Sequence, residues 1–319
     1  MSTQNVCVYI GDGLRRYGFG QGHPFGPDRM DAFWNEAKRQ GVDGKVCARD
    51  PVLAQREVIE QFHTKEYVDR VVAQSKTGSG LLDYGDTPAF PGVFEAASFV
   101  VGSTLDACER LMQGSCRRAF IPIAGLHHAR RDSAGGFCVF NDPGIAVEIL
   151  RARHDLKRIA YVDIDAHHGD GVFYSFEDDP YTFIADIHQD GRYLYPGTGF
   201  PNETGRGAAV GTKLNVPMPP YADDDTFLAA WDVVEKFVDA ARPEFILLQC
   251  GADGLEGDPI TQLRYTEEAH AHAARRLCAL ADSHCNGRVV AMGGGGYNRD
   301  NIGKAWTAIV KSLVEVEAG

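Results

Sequence analysis

Short apolar runs alternate along the chain with longer amphipathic stretches. NVCVYI (5–10), RAFIPIA (118–124), RIAYVDI (158–164), YTFIADI (181–187), EFILLQC (244–250) and RVVAMG (288–293) are apolar through most of their length, not at every second position. That pattern marks strands buried on both faces, as in a parallel sheet. Between the runs, residues 28–40 put Met30, Phe33, Trp34 and Ala37 on one side of a helix that stops at Gly41. Residues 92–112 and 224–241 read as longer helices, and Thr266 followed by Glu267 and Glu268 caps another that runs to Ala281. The alternation predicts an α/β fold, an open, mostly parallel sheet flanked by helices on both faces. The glycine-rich segments 11–27 and 191–211 are expected to be surface loops that form part of a site.

Neither a Pro/Ser-rich linker nor a charge block divides the 319 residues, so they read as one domain, 1–319. The longest apolar stretches, such as FVVGSTL and FILLQC, are far shorter than the roughly 20 residues needed to cross a bilayer. The start, MSTQNVCVYIGDG, has no basic segment leading into a long apolar one, so a soluble cytoplasmic protein without a membrane partner is expected. A formal net charge of -12 argues against a general nucleic-acid binder, which needs clustered Lys and Arg, and is compatible with a cationic substrate. The eight cysteines form no C-x-x-C pair and read mainly as reduced core thiols.

Candidate chemistry gathers at the C-terminal ends of the runs. His127 and His128 follow FIPIA, Asp163 to Asp170 follow RIAYV, His188 follows FIADI, Asp253 follows ILLQC, and GGGGYN follows VVAM. In an open parallel sheet those ends face one crevice, where ligands bind. Asp163, Asp165 and His167 are spaced two residues apart, so extended backbone would turn all three to one side. Asp165, His167 and Asp253 would supply two carboxylates and an imidazole, three ligands that leave a position open for water and substrate. With no thiolate, Zn2+ is favoured, with Fe2+ or Mn2+ as alternatives. Single acids at strand ends are often solvated or cap helices, but their convergence from several segments favours a site. His127 and His128, with Asp163 and Asp170 as partners, form two His–Asp pairs able to take a proton from water activated by a metal. The Tyr297 phenol, after the glycine turn, is suited to stabilise an oxyanion. Together these groups describe amide hydrolysis without a covalent intermediate. A dinucleotide fold is excluded: after Gly11 and Gly13 the third fingerprint glycine would fall at Arg16.

The motifs YGFGQGHPFGPDR (17–29), GLHHARRDSAGGFCVFND (125–142), VDIDAHHGDGV (162–172), YPGTG (195–199), LNVP (214–217), LQCGADGLEGDP (248–259) and GGGGYN (293–298) resemble, in order, those of the histone deacetylase family of the arginase/deacetylase superfamily. The first motif and GAD look closer to class I and acetoin-utilisation-type deacetylases. The resemblance implies zinc on Asp165, His167 and Asp253, carbonyl polarisation by Tyr297, and a general base and acid at His128 paired with Asp170. It implies electrostatic assistance from His127 paired with Asp163. Phe137 and Tyr195 would wall a tunnel for an acyl-lysine-like chain, the Gly136 carbonyl would accept from the substrate amide, and Asp86 would hold the substrate backbone at the rim. Arg29 matches an arginine of an internal channel associated with acetate. A structural K+ near Asp163, Asp165, His167, Asp186 and Ile187 is also implied, and His168 is left a structural role.

Tyr195 and Leu126 depart from the residues common in the family, which bears on the acyl group accepted. Ile260 stands where a polyamine-selective enzyme would tend to carry a glutamate. The expectation is therefore a metal-dependent amidohydrolase acting on acetyl or other short-acyl lysine in proteins or peptides, with acetylated polyamines or other small amines as the alternative substrate. A dimetal arginase-like hydrolase would need a larger carboxylate set, and a non-catalytic scaffold would not need every catalytic position filled. Homo-oligomerisation is left open.

Overall fold

The structure, a computed structural model, describes residues 5–20 and 22–315. Eight strands form one sheet: β1 (Val6–Tyr9), β2 (Cys47–Arg49), β3 (Arg118–Ile121), β4 (Ile159–Asp163), β5 (Thr182–Gln189), β6 (Lys213–Met218), β7 (Phe245–Gln249) and β8 (Val289–Met292). Their order is β2-β1-β3-β8-β7-β4-β5-β6, and every neighbouring pair is parallel. The helices are α1 (Asp12–Arg15), α2 (Arg29–Arg39), α3 (Arg56–Ile59), α4 (Lys65–Thr77), α5 (Val93–Met112), α6 (Asp142–His154), α7 (Asp170–Ser175), α8 (Asp224–Ala241), α9 (Glu267–His284) and α10 (Arg299–Glu315).

Successive residues of a strand enter opposite cores, which is why the runs are apolar without alternating. Ile121, Leu247 and Val290 pack with Val100 of α5 and Ile145 of α6. Phe120, Leu248 and Ala291 pack with Phe33 of α2, Trp231 of α8, Leu277 of α9 and Trp306 of α10. All six strands read from the apolar runs are present, shortened or extended at their ends by a few residues. The two not read from them, β2 and β6, lie at the sheet edges. An edge strand is covered less completely, and β6 carries Pro217, whose missing N–H an edge tolerates. Thr266 caps α9 as expected, its Oγ1 accepting from the Glu268 N–H at 3.3 Å.

Among the described residues no helix is long and apolar enough to cross a membrane. Cys7 and Cys116 are brought side by side, with Cα atoms 6.2 Å apart. Cys7 lies in β1 and Cys116 just before β3, and β1 pairs with β3, so the proximity comes from sheet topology and not from sequence spacing.

Candidate metal centre and its cleft

The loops that leave β3, β4, β7 and β8 build one site. Strand β4 ends at Asp163, earlier than the spacing of Asp163, Asp165 and His167 suggested, and side-chain hydrogen bonds take over the two-residue repeat. The Asp163 Oδ1 accepts from the Asp165 N–H (3.0 Å) and the Asp165 Oδ1 from the His167 N–H (3.0 Å), turns that aspartate forms readily. Asp253 arrives in a short 3-10 turn after β7, its Oδ1 accepting from the Ala166 N–H at 2.8 Å. The His167 Nδ1 then lies 3.0 Å from Asp165 Oδ1 and 3.1 Å from Asp253 Oδ2. One ligand atom from each residue falls within 4.8 Å of the others, and all three residues are buried. Glycine makes the crowding feasible: a Cβ on Gly251 or Gly295 would collide with the Asp165 carboxylate.

Two carboxylates this close and this dry oppose one another. Burial and the Asp165 charge push the Asp253 carboxyl up to about 7. Burial also disfavours a charged imidazole at His167, but hydrogen bonds to Asp165 and Asp253 outweigh it and hold the group up to about 10. The arrangement therefore demands a positive charge at the point where the three side chains meet. A divalent cation satisfies that demand and releases the imidazole proton, so the donor set fits a metal ion.

His127 and His128 lie on the loop after β3. Asp142, the first residue of α6, holds that loop: its carboxylate accepts from the N–H groups of Gly125 (3.1 and 3.0 Å) and Leu126 (2.8 Å) and from Thr104 Oγ1 (2.9 Å). Burial raises Asp142 to about 6. The two rings sit 4.0 Å apart. His127 Nδ1 is 2.8 Å from Asp163 Oδ2, which also accepts from the Tyr161 hydroxyl at 2.6 Å. His128 Nδ1 is 2.7 Å from Asp170 Oδ1, whose other oxygen meets Arg130 Nη2 at 3.0 Å. Each carboxylate thus accepts a hydrogen bond from an Nδ1–H and leaves Nε2 as the free face of its imidazole. Burial and the neighbouring His127 lower His128 to about 4, so it is neutral at pH 7.

These groups border a cleft of about 270 Å³ that also contacts Asp86, Gly136, Phe137, Tyr195, Ile260 and Tyr297. Asp86 and Ile260 are exposed at its mouth. Tyr195 is 51% exposed, with its ring edge-on to His128 at 5.0 Å. Phe137 adopts a φ of 68°, a conformation that costs a non-glycine residue about 1 to 3 kcal/mol and persists where its surroundings enforce it. Here the Tyr17 hydroxyl donates to the Phe137 carbonyl (2.7 Å), and the Phe137 N–H donates to Thr87 Oγ1 (3.0 Å). The Tyr297 N–H is anchored on Asp258 Oδ2 (2.8 Å), and its ring stands perpendicular to Phe137 at 5.8 Å. Burial raises the Tyr297 phenol well above its ordinary range, with Arg29 opposing the shift, so it stays protonated.

Arg29 is buried behind the glycine turn. Its Nε donates to Gly296 O (2.9 Å) and its Nη2 to Gly294 O (2.6 Å), and its guanidinium lies 3.9 Å from the Phe25 ring centroid. Burial lowers it to about 10, which leaves it charged. His168 points elsewhere, toward Thr198 Oγ1 (2.8 Å) and the His188 ring (4.9 Å). The Asp186 carboxylate accepts from the Gly169 N–H (2.9 Å) and faces His188 Nδ1 (2.6 Å).

The candidates Asp86, His127, His128, Gly136, Phe137, Asp165, His167, Tyr195, Ile260 and Tyr297 line this cleft, and Asp163, Asp170, Asp253 and Arg29 reach it from behind. Sequence reasoning missed Asp142, Gln249, Tyr17 and Thr87. Asp142 was visible only as the end of a motif, and Gln249 was hidden as one amide in an apolar strand.

Comparison with known proteins decides the family. The histone deacetylase domain profile matches residues 23–313. The chain belongs to the histone deacetylase family. It is 36% identical to the acetoin utilization protein AcuC of Bacillus subtilis, over 99% of this chain and 83% of that protein. It is 31% identical to the histone deacetylase RPD3 of Saccharomyces cerevisiae, over 98% of this chain and 73% of that one. The crystal structure of the HDA15 HD domain superposes with a TM-score of 0.91 at 26% identity, covering 98% of this chain and 89% of that domain. As a member of this family the chain is a hydrolase of the deacetylase type, on a fold that its eight-stranded parallel sheet shares with that domain.

Proposed function

We propose that the protein is a zinc-dependent cytoplasmic amidohydrolase, one catalytic domain throughout, that removes acetyl or other short acyl groups from lysine side chains of proteins or peptides. The observation that carries this reading is the convergence, in one cleft, of the Asp165–His167–Asp253 cluster, two His–Asp pairs and the Tyr297 phenol. Asp165, His167 and Asp253 would hold the metal, which when bound supplies Lewis acidity to water and to the scissile carbonyl.

The remaining steps belong to side chains. His128, neutral and oriented by Asp170, accepts the proton of the attacking water at Nε2 and returns it to the departing amine. His127, held by Asp163, adds electrostatic support beside it. Tyr297 keeps its phenolic proton and donates a hydrogen bond to the developing oxyanion. Phe137 and Tyr195 enclose the aliphatic chain, the Gly136 carbonyl accepts from the substrate amide, Asp86 binds the substrate backbone at the mouth, and Arg29 serves the acetate-side channel. Asp163, Asp165, His167, Asp186 and Ile187 would hold a structural K+.

Ile260 makes the mouth apolar on one side and so favours an acyl-lysine peptide over an acetylated polyamine, whose distal ammonium gains no carboxylate from position 260. Steady-state hydrolysis across acetyl-lysine peptides, longer acyl-lysine peptides and acetylputrescine tests the choice. We expect kcat/KM for an acetyl-lysine peptide to exceed that for acetylputrescine by about tenfold or more, some 1.4 kcal/mol of discrimination. Rapid turnover of acetylputrescine with none of the peptides would overturn it.

A further inference from the structure

We propose that Gln249 is a positioning residue for the metal centre, joining the loops after β3, β4 and β7 through one buried amide; the inference rests on the metal reading above. Gln249 is the last residue of β7 and is fully buried. Its Nε2 donates to Asp165 Oδ2 (2.8 Å) and reaches the Gly125 carbonyl (3.3 Å), and its Oε1 accepts from the Gly251 N–H (2.7 Å). Asp165 Oδ2 also accepts from the Gly295 N–H (2.8 Å), while Oδ1 faces His167 Nδ1. One oxygen is thereby occupied by fixed donors, and the carboxylate cannot rotate away from His167.

The chain of contacts continues through Gly251. The buried His270 of α9 donates from Nε2 to the Gly251 carbonyl (2.7 Å), and the next residue, Ala252, donates its N–H to Gly295 O (3.0 Å). The segment that delivers Asp253 is therefore fixed at both groups of one peptide position, by Gln249 on the N–H side and His270 on the carbonyl side.

Two further observations point to this amide. A buried amide is costly unless all its groups are paired, and β7 is otherwise apolar, FILL before the glutamine, so its retention there needs a reason of this kind. The surrounding glycines also fit around it: a Cβ on Gly294, where φ is +67°, would overlap the Gln249 amide, and one on Gly125 would press on its stem. Partners that orient metal ligands from behind commonly change metal affinity ten- to a hundredfold when removed.

The test uses the full chain and zinc itself. Gln249→Met keeps the length and approximate volume and removes the amide bonds. Leu247→Ala, two residues back on the same strand and on the same face of the sheet, packed in the apolar core away from the metal ligands, serves as a control for general loss of stability. Zinc affinity by chelator competition, Tm of the metal-free protein, and kcat and KM are measured for each. We expect Gln249→Met to bind zinc about ten- to a hundredfold more weakly, with kcat lowered and KM within about twofold of wild type. Leu247→Ala should lower Tm and leave zinc affinity within about threefold. Zinc affinity in Gln249→Met within about twofold of wild type would overturn the proposal, and so would an equal loss in Leu247→Ala at the same Tm. Should Gln249→Met fail to fold, His270→Phe is expected to weaken zinc by several-fold through Gly251, and no change there overturns it. Wild-type protein that binds no zinc would overturn the metal reading and this inference together, a result distinct from tight wild-type binding with an unchanged variant.

Discussion

Tyr297→Phe is expected to lower kcat for an acetyl-lysine peptide by about 10²–10³-fold, the usual cost of removing one oxyanion donor, with the metal retained and Tm nearly unchanged. The ring packs perpendicular to Phe137 at 5.8 Å, a contact that phenylalanine keeps. Its position is set by a backbone bond to Asp258, which phenylalanine keeps. The phenol stays protonated in its buried position, so the wild-type side chain is a hydrogen-bond donor across the working pH range. Initial-rate kinetics with metal content measured on the same sample check this; wild-type turnover by the variant would remove Tyr297 from the mechanism and favour a non-catalytic role for the cleft.

The second large effect is expected at His128. His128→Asn should cost about 10²–10⁴-fold in kcat, the range of a positioned general base and acid. Its pH dependence carries a sign. Burial and His127 depress the imidazole below its ordinary 6.5, to about 4, so the proton-accepting form is already dominant above that value. A cation held at Asp165, His167 and Asp253 would shift it further in the same direction. The acid limb of kcat/KM that reports His128 should therefore fall well below pH 6.5, and it should vanish from the residual activity of the variant. An acid limb at 6.5 or above, unchanged in His128→Asn, would assign the proton transfer to another group.

Much of this was legible in the sequence because parallel strands buried on both faces leave unbroken apolar runs, and the residues after such runs share one edge of the sheet. The apolar runs mark β1, β3, β4, β5, β7 and β8, and the residues that follow them include His127, His128, Asp165, His167, Asp253 and Tyr297. The runs miss what depends on pairing across distance. Lys213 to Met218 carry a proline and half-exposed positions because β6 is an edge. Asp142 resembles a helix-start residue and only the fold turns its carboxylate onto the His127 loop. Gln249 is one polar letter in an apolar strand, with partners 84 and 124 positions away. Extended backbone would have turned Asp163, Asp165 and His167 to one side; instead β4 ends at Asp163, side-chain hydrogen bonds bring Asp165 to His167, and Asp163 meets His127.

The central claim, a mononuclear metal hydrolase at Asp165, His167 and Asp253, is tested most directly by titrating chelator-stripped protein with zinc while following acetyl-lysine peptide hydrolysis. The account predicts negligible turnover without metal, a rise that breaks at about one zinc per chain, and no recovery in Asp253→Ala. Full turnover by metal-free protein, or a break at about two ions per chain, would contradict it.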